Sequence, residues 1–289
     1  MYLTGFADEA SQDLNQQIKV TKDLGWKNIE SRCVNGINLH NLNEEDFEAV
    51  ASTLAESGVK INCFGSAIAN WASKIDAPFE DTLTQVDRAI PRMQQLGTKL
   101  IRIMSYARCD EGQDQQEEER FRRLREVTNR FLDAGLTPVH ENCMNYGGMS
   151  YQHTLKMLEN VPGLKLVFDT GNPVFNIDYS KSEKTYQDPW EFYEATIEHT
   201  EYIHLKDARM TGDKCDFKLC GEGDAQISRI LKDLKERGYD GGISIEPHLA
   251  SVFHSSEDEG LDEEASIKIY KDFGEIVMKM LKDINYDWE

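Results

Sequence analysis

No apolar run in the 289 residues is long enough to cross a bilayer, so no membrane is expected among the partners. No Cys-x-x-Cys pair occurs among Cys33, Cys63, Cys109, Cys143, Cys215 and Cys220. Their scatter through a long chain fits reduced thiols in a cytoplasmic protein rather than a disulfide framework. A basic leader followed by an apolar stretch is also missing. Met1-Tyr2-Leu3-Thr4-Gly5-Phe6 reads as a first strand and not as a signal peptide. Basic residues are outnumbered, with 32 Lys and Arg against 52 Asp and Glu and a net charge of -20. Such a surface repels phosphate backbones and anionic lipid, so nucleic acid is not expected as a partner. No long Pro- or Ser-rich linker divides the chain, and residues 1–289 read as one domain.

What is present is a repeated alternation. Strand-like runs fall at 3–6, 28–32, 60–64, 100–104, 137–141, 165–169, 202–206 and 242–246, each followed by a helical pattern. Most are rich in Val, Ile, Leu or Phe, as expected for parallel strands buried on both faces. Leu24-Gly25, Ser57-Gly58, Leu96-Gly97, Ala134-Gly135 and Arg237-Gly238 mark helix ends, where glycine can turn left-handed. Ser11-Gln12-Asp13 and Asn43-Glu44-Glu45-Asp46 mark helix starts. Eight strand-then-helix units predict an α/β protein, a (β/α)8 TIM barrel; an open doubly wound sheet is the rival. The longest irregular stretches are expected at 142–150, 171–188 and 207–224, and an acidic run at 256–264 as a solvated loop entering the last helix.

Glu141, Asp169, His204 and Glu246 stand at or near the C-terminal ends of the last four strand runs. In a parallel barrel those ends open on one face, so the four side chains are expected to converge. Taken singly, such carboxylates are commonly helix caps and such a histidine a core residue; taken together they predict a metal site. Three oxygen donors and one nitrogen suit Mn²⁺ first, with Co²⁺, Mg²⁺ or Fe²⁺ as alternatives and Zn²⁺ behind them, because structural zinc more often recruits cysteine.

The ordered motifs carry a resemblance that covers almost the whole chain. They are Gly5-Phe6-Ala7-Asp8-Glu9-Ala10-Ser11, Ile29-Glu30-Ser31-Arg32, Phe64-Gly65-Ser66, His140-Glu141-Asn142 and Phe168-Asp169-Thr170-Gly171-Asn172. Tyr202-Ile203-His204-Leu205-Lys206-Asp207, Gly221-Glu222-Gly223-Asp224 and Ser244-Ile245-Glu246-Pro247-His248 complete the set. The sequence resembles the xylose-isomerase-like TIM-barrel superfamily, in its sugar phosphate isomerase/epimerase branch. The resemblance implies one divalent metal on Glu141, Asp169, His204 and Glu246, with Glu141 and Glu246 also serving as the acid/base pair. It implies isomerisation or epimerisation of a small carbohydrate through an enediolate, and leaves a homo-oligomer open. A lyase of the inosose-dehydratase or keto-glycoside type is the nearest alternative, since it shares the first proton abstraction. An endonuclease IV-like phosphodiesterase and a non-catalytic sugar-binding barrel stand further off. In epimerase and endonuclease relatives a histidine often follows the matching aspartate by three residues; here that position is Asn172, which can hydrogen-bond a hydroxyl but cannot take up a proton.

Further residues are read as substrate contacts. Lys206, two positions after His204, points the same way along a strand and can bind a hydroxyl or an oxyanion or form a salt bridge to a site carboxylate. His248, Asn172, Arg32 and Ser66 are expected at the sugar pocket, while Trp71 and Tyr106 either stack on a sugar face or pack beneath a loop. His140 alternates with Glu141 and is expected to face the helix layer. The loop Gly221-Glu222-Gly223-Asp224 has the look of a phosphate cradle; its two acids would repel a dianion, which favours an uncharged sugar, although Arg209, Lys214 and Lys218 could compensate.

Overall fold

The computed structural model describes residues 1–249 and 262–289. Eight strands form the expected barrel: β1 (Tyr2–Gly5), β2 (Asn28–Ser31), β3 (Lys60–Phe64), β4 (Leu100–Ile103), β5 (Thr137–Glu141), β6 (Lys165–Asp169), β7 (Thr200–Leu205) and β8 (Gly242–Ile245). They hydrogen-bond in the order β1-β8-β7-β6-β5-β4-β3-β2, each pair parallel. The ring closes between β1 and β2 through one parallel bridge, Phe6 to Glu30. Helices fill the outer layer, beginning with α1 (Leu14–Asp23), α2 (Glu44–Ser57) and α3 (Phe79–Leu96) and ending with the C-terminal helix Glu263–Asp283. Among the described residues no helix is long and apolar enough to cross a membrane.

The local signals act as their chemistry requires. Asp13 accepts the Gln16 amide at 3.0 Å and Asn43 accepts that of Asp46 at 2.9 Å, closing the open N-termini of α1 and α2. Gly58 and Gly97 end α2 and α3 at φ of +73° and +70°. The acidic run at 256–264 lies outside the described residues up to 261; Asp262 caps the C-terminal helix by accepting from the Ala265 amide at 2.8 Å.

Two cores result from the two faces of each strand. The larger lies between strands and helices; the smaller sits inside the barrel and includes Cys63, Val139, Val167 and Tyr202. Strand side chains alternate with a period of two. Val139, Val167 and Tyr202 therefore set the direction of Glu141, Asp169 and His204 two residues on, one layer higher in the barrel. Parallel register levels them, for Asp169 pairs with His204, and His204 with Ser244, two before Glu246.

One buried group outside this face makes the fold sensitive to acid. His40 is fully buried in the turn before α2, with its Nε2 3.4 Å from Gln85 Oε1. Burial lowers its pKa from 6.5 to about 4. Protonation therefore favours the unfolded chain: the contribution of neutral His40 is complete above pH 6.5 and is lost as pH falls toward 4. Between pH 7 and pH 4.5, His40→Gln is expected to lose about 2 kcal/mol less stability than the parent. Urea unfolding at both pH values checks this, and equal losses in the two proteins refute it.

Candidate active site

The barrel brings four ligand atoms, one each from Glu141, Asp169, His204 and Glu246, within 4.8 Å of one another, and all four residues are buried. The imidazole is held by its far side. His204 Nε2 lies 3.0 Å from Glu30 Oε2, and Phe6 packs edge-on against the ring at 5.1 Å. His204 Nδ1 then faces Glu246 Oε2 at 3.7 Å and Glu141 Oε1 at 3.9 Å and makes no hydrogen bond. A buried nitrogen aimed at carboxylates, with a second carboxylate fixing its ring from behind, is the arrangement metal-binding histidines adopt. These four residues fit one divalent cation. The donor set is the hard, oxygen-rich kind that suits such ions.

Cations of the chain itself already surround the cluster. Lys206 Nζ lies 3.0 Å from both Asp169 Oδ2 and Glu246 Oε2. Arg102 Nη1 donates to Glu141 Oε2 at 2.8 Å, and Asn172 Nδ2 donates to Glu141 Oε1 at 3.0 Å. Asp169 Oδ1 accepts the amides of Gly171 and Asn172 at 2.9 and 2.6 Å. The electrostatic result separates the acids. Burial pushes Asp169 up to about 7 against the pull of Lys206. Burial also opposes ionisation of Glu141, yet Arg102 overcomes it and holds the group at about 2. Glu246 ends well below the usual carboxylate range because Lys206, His248, His204 and Arg32 outweigh its burial.

On the β1 and β2 side, Arg32 Nε binds Asp8 Oδ2 at 2.9 Å, while its two other nitrogens stand 3.4 Å from Glu9 Oε1 and Glu246 Oε1. Glu9 also accepts from the His248 backbone at 2.7 Å and lies 2.8 Å from His248 Nδ1. Glu9, Glu246 and His248 thus form a second cluster of metal-type atoms, but the Arg32 guanidinium already supplies its positive charge.

A cavity of about 310 Å³ opens above this floor, and its walls include Arg32, Asn172, Lys206 and His248 as well as Trp71. One expectation needs correction. Ser66 is fully buried and donates its hydroxyl to the Arg102 carbonyl, so it is not on the cavity wall. Tyr106 takes the packed one of its two readings: it is buried, with its hydroxyl 3.1 Å from Thr82 Oγ1. His140 lies outside the barrel ring, 3.0 Å from Ser105 Oγ. The irregular stretch 207–224 contains an antiparallel hairpin, Asp207–Thr211 with Lys214–Lys218.

The glycine loop after that hairpin is an anion nest whose anion belongs to the chain. Amides of Gly221, Gly223, Ala225 and Ala208 all donate to the Asp207 carboxylate, at 2.8 to 3.1 Å. A Cβ on Gly223 would stand 2.1 Å from Asp207 Oδ1, so glycine is required for this approach. The cradle is filled by Asp207 and is closed to a phosphate.

Sequence reasoning missed Glu30, Arg102, Asp8 and Glu9 as parts of the site. The available signal was a charge inside an apolar strand, as in Leu100-Ile101-Arg102-Ile103 and Asn28-Ile29-Glu30-Ser31. A buried charge needs a partner, and here the partners are the metal-type residues themselves.

The family model for the xylose isomerase-like TIM barrel matches residues 18–270. No curated protein matches the chain. Among solved structures, it is similar to a xylose isomerase-like TIM-barrel protein from Mycobacterium smegmatis in complex with magnesium, at 14% identity and TM-score 0.70, over 98% of this chain and 97% of that one. It is also similar to the probable 3-DHS dehydratase AsbF from Bacillus anthracis, at 17% identity and TM-score 0.70, over 96% and 99% of the two chains. A D-tagatose 3-epimerase-like protein matches at 18% identity and TM-score 0.69, over 99% and 98%. At these identities the likeness is one of fold.

Proposed function

Because the chain belongs to the xylose isomerase-like TIM-barrel family, we propose that it is a divalent-metal-dependent isomerase or epimerase of a small, uncharged carbohydrate. The observation that carries this reading is the pair of buried glutamates, Glu141 and Glu246, whose oxygens flank the His204 nitrogen at 3.9 and 3.7 Å. Glu141, Asp169, His204 and Glu246 would hold the metal, with Mn²⁺ the first choice for this donor set. Bound there, a divalent cation supplies Lewis acidity that stabilises an enediolate on the substrate.

The chain's residues supply the rest. Glu141 and Glu246 act as base and acid, one taking the proton next to the carbonyl and the other returning one to the opposite face or the neighbouring carbon. Both are held below the usual carboxylate range by neighbouring cations, so both are ionised and weakly basic; close positioning must contribute much of the rate. Lys206 binds a substrate oxygen while neutralising Asp169 and Glu246. Asn172, His248 and Arg32 orient hydroxyls from the wall. An uncharged substrate is favoured because the glycine-rich nest after the hairpin holds Asp207. A lyase outcome is the second reading, favoured by a cavity mouth that is partly apolar and can receive a leaving group.

The test is hydrogen exchange. Proton NMR in deuterium oxide, with ketoses, inososes and keto-glycosides, is expected to show loss of one carbon-bound hydrogen that needs added Mn²⁺. Product signals then separate epimer, isomer and elimination product. Absence of metal-dependent exchange across the panel would reject the reading.

A further inference from the structure

The cations of the site divide by which carboxylate oxygen they hold. Arg102 Nη1 takes Glu141 Oε2, whereas Glu141 Oε1 is the oxygen that faces His204 Nδ1. Arg32 Nη1 stands 3.4 Å from Glu246 Oε1, whereas Glu246 Oε2 is the one that faces Nδ1. Both arginines therefore leave the inward oxygens to other partners. Lys206 instead holds inward oxygens: its Nζ lies 3.0 Å from Glu246 Oε2 and 3.0 Å from Asp169 Oδ2. Asp169 Oδ1 already accepts the amides of Gly171 and Asn172, so Oδ2 is the oxygen left for an ion. The contact of Nζ with Oδ2 is close but lacks the alignment of a hydrogen bond, so charge alone holds it. An ammonium and a divalent cation thus claim the same two oxygens. The root of Lys206 is fixed while its tip has space. Thr170 Oγ1 donates to the Lys206 carbonyl at 2.7 Å and accepts from its amide at 3.1 Å. Gly171 packs on the stem, where a Cβ would stand 2.8 Å from Lys206 Cγ. Beyond that point the side chain borders the cavity of about 310 Å³.

We infer that Lys206 is the site's own counter-ion in the metal-free protein, and that a divalent cation takes Asp169 Oδ2 and Glu246 Oε2 from it and turns the ammonium into the cavity. The inference rests on the metal reading above and adds how loading of that site is controlled. At roughly 2.1 Å from those oxygens a divalent ion would stand within about 5 Å of Nζ, a separation at which buried like charges repel strongly. Lys206 therefore weakens metal binding while it protects the metal-free fold from three neighbouring buried carboxylates. Once released, the ammonium is the donor that a substrate oxygen meets, so metal and substrate binding are linked through one side chain.

Calorimetric titration of Mn²⁺ into the chelator-treated protein is expected to show Lys206→Met binding about tenfold or more tighter than the parent. That is the scale on which one neighbouring unit charge shifts proton binding at a carboxylate. Lys206→Gln, also uncharged, is expected to match it, and Lys206→Arg to stay near the parent. A purely structural role has the opposite sign, because a disturbed site binds metal more weakly. With chelator, Lys206→Met is expected to melt a few degrees below the parent, so that one substitution lowers metal-free stability and raises metal affinity. A crystal structure of the parent with Mn²⁺ is expected to show Nζ more than about 4 Å from Asp169 Oδ2 and Glu246 Oε2, beyond ion-pair distance. Equal or weaker Mn²⁺ binding by the folded uncharged variants overturns the inference and leaves the metal reading standing. Mn²⁺-loaded parent crystals in which Nζ keeps both 3.0 Å contacts overturn it even where the variants fail to fold. If Mn²⁺ binds neither the parent nor the variants, the metal reading and the inference both fall.

Discussion

Glu246→Gln is expected to slow metal-dependent hydrogen exchange by about 10³-fold, within the range for loss of a general acid or base. The substitution keeps the side-chain volume and one carbonyl oxygen, so a cation can still be held by Glu141, Asp169 and His204. What it removes is an oxygen able to accept a proton. In the parent, Glu246 Oε1 stands 3.4 Å from Arg32 Nη1, and Oε2 stands 3.0 Å from Lys206 Nζ. These contacts fix the carboxylate against the cavity floor and keep it ionised. The amide can still accept from one of these cations, so the fold should hold. Exchange followed by proton NMR, Mn²⁺ content by atomic absorption and circular dichroism together check the outcome. Full exchange in a folded, metal-loaded variant removes Glu246 from the chemistry.

The barrel was readable because its physics is local. Strands buried on both faces are written as short apolar runs, and helix ends as glycines such as Gly58 and Gly97. Strand-end position also singled out Glu141, Asp169, His204 and Glu246, since parallel strands share one open face. Pairings made across the ring were not readable. His204 meets Glu30 across 174 residues, and His248 meets Glu9 across 239. No local pattern encodes such partners; a buried charge shows only that one exists. Ser66 failed as a pocket residue, and Tyr106 packed beneath the outer layer, for a related reason. Position after a strand predicts height on the barrel, but the rotation of the following turn decides which way the side chain points. At Tyr106 the backbone is left-handed, with φ of +64°, which swings the ring away from the cavity and under the outer layer. The hairpin at 207–218 was hidden because its strands, Asp-Ala-Arg-Met-Thr and Lys-Cys-Asp-Phe-Lys, are half-polar and only partly buried.

Metal removal should produce the other large change, and its sign separates a metal centre from a purely structural acid cluster. With chelator, three buried carboxylates lie together, offset by Lys206, Arg102 and a His204 whose pKa is raised by Glu30 and Glu141 against its burial. Added Mn²⁺ at a thousandfold over its dissociation constant is expected to stabilise the protein by about 4 kcal/mol, a rise in Tm of about 10 °C. Asp169→Asn is expected to abolish that rise and to act oppositely without metal. The Asn oxygen can still accept the Gly171 and Asn172 amides, and Lys206 keeps Glu246. Asp169 has its pKa raised to about 7 in the fold, so its ionised form opposes folding fully above pH 7, and the opposition is gone below pH 3.8. At pH 8 the metal-free variant is therefore expected to gain about 1 kcal/mol, a few degrees in Tm, over the metal-free parent. Differential scanning calorimetry of both proteins, with chelator and with Mn²⁺, reads all four values. A parent whose Tm ignores Mn²⁺, or an Asp169→Asn protein that still responds to it, would show that the ion is not held by these side chains.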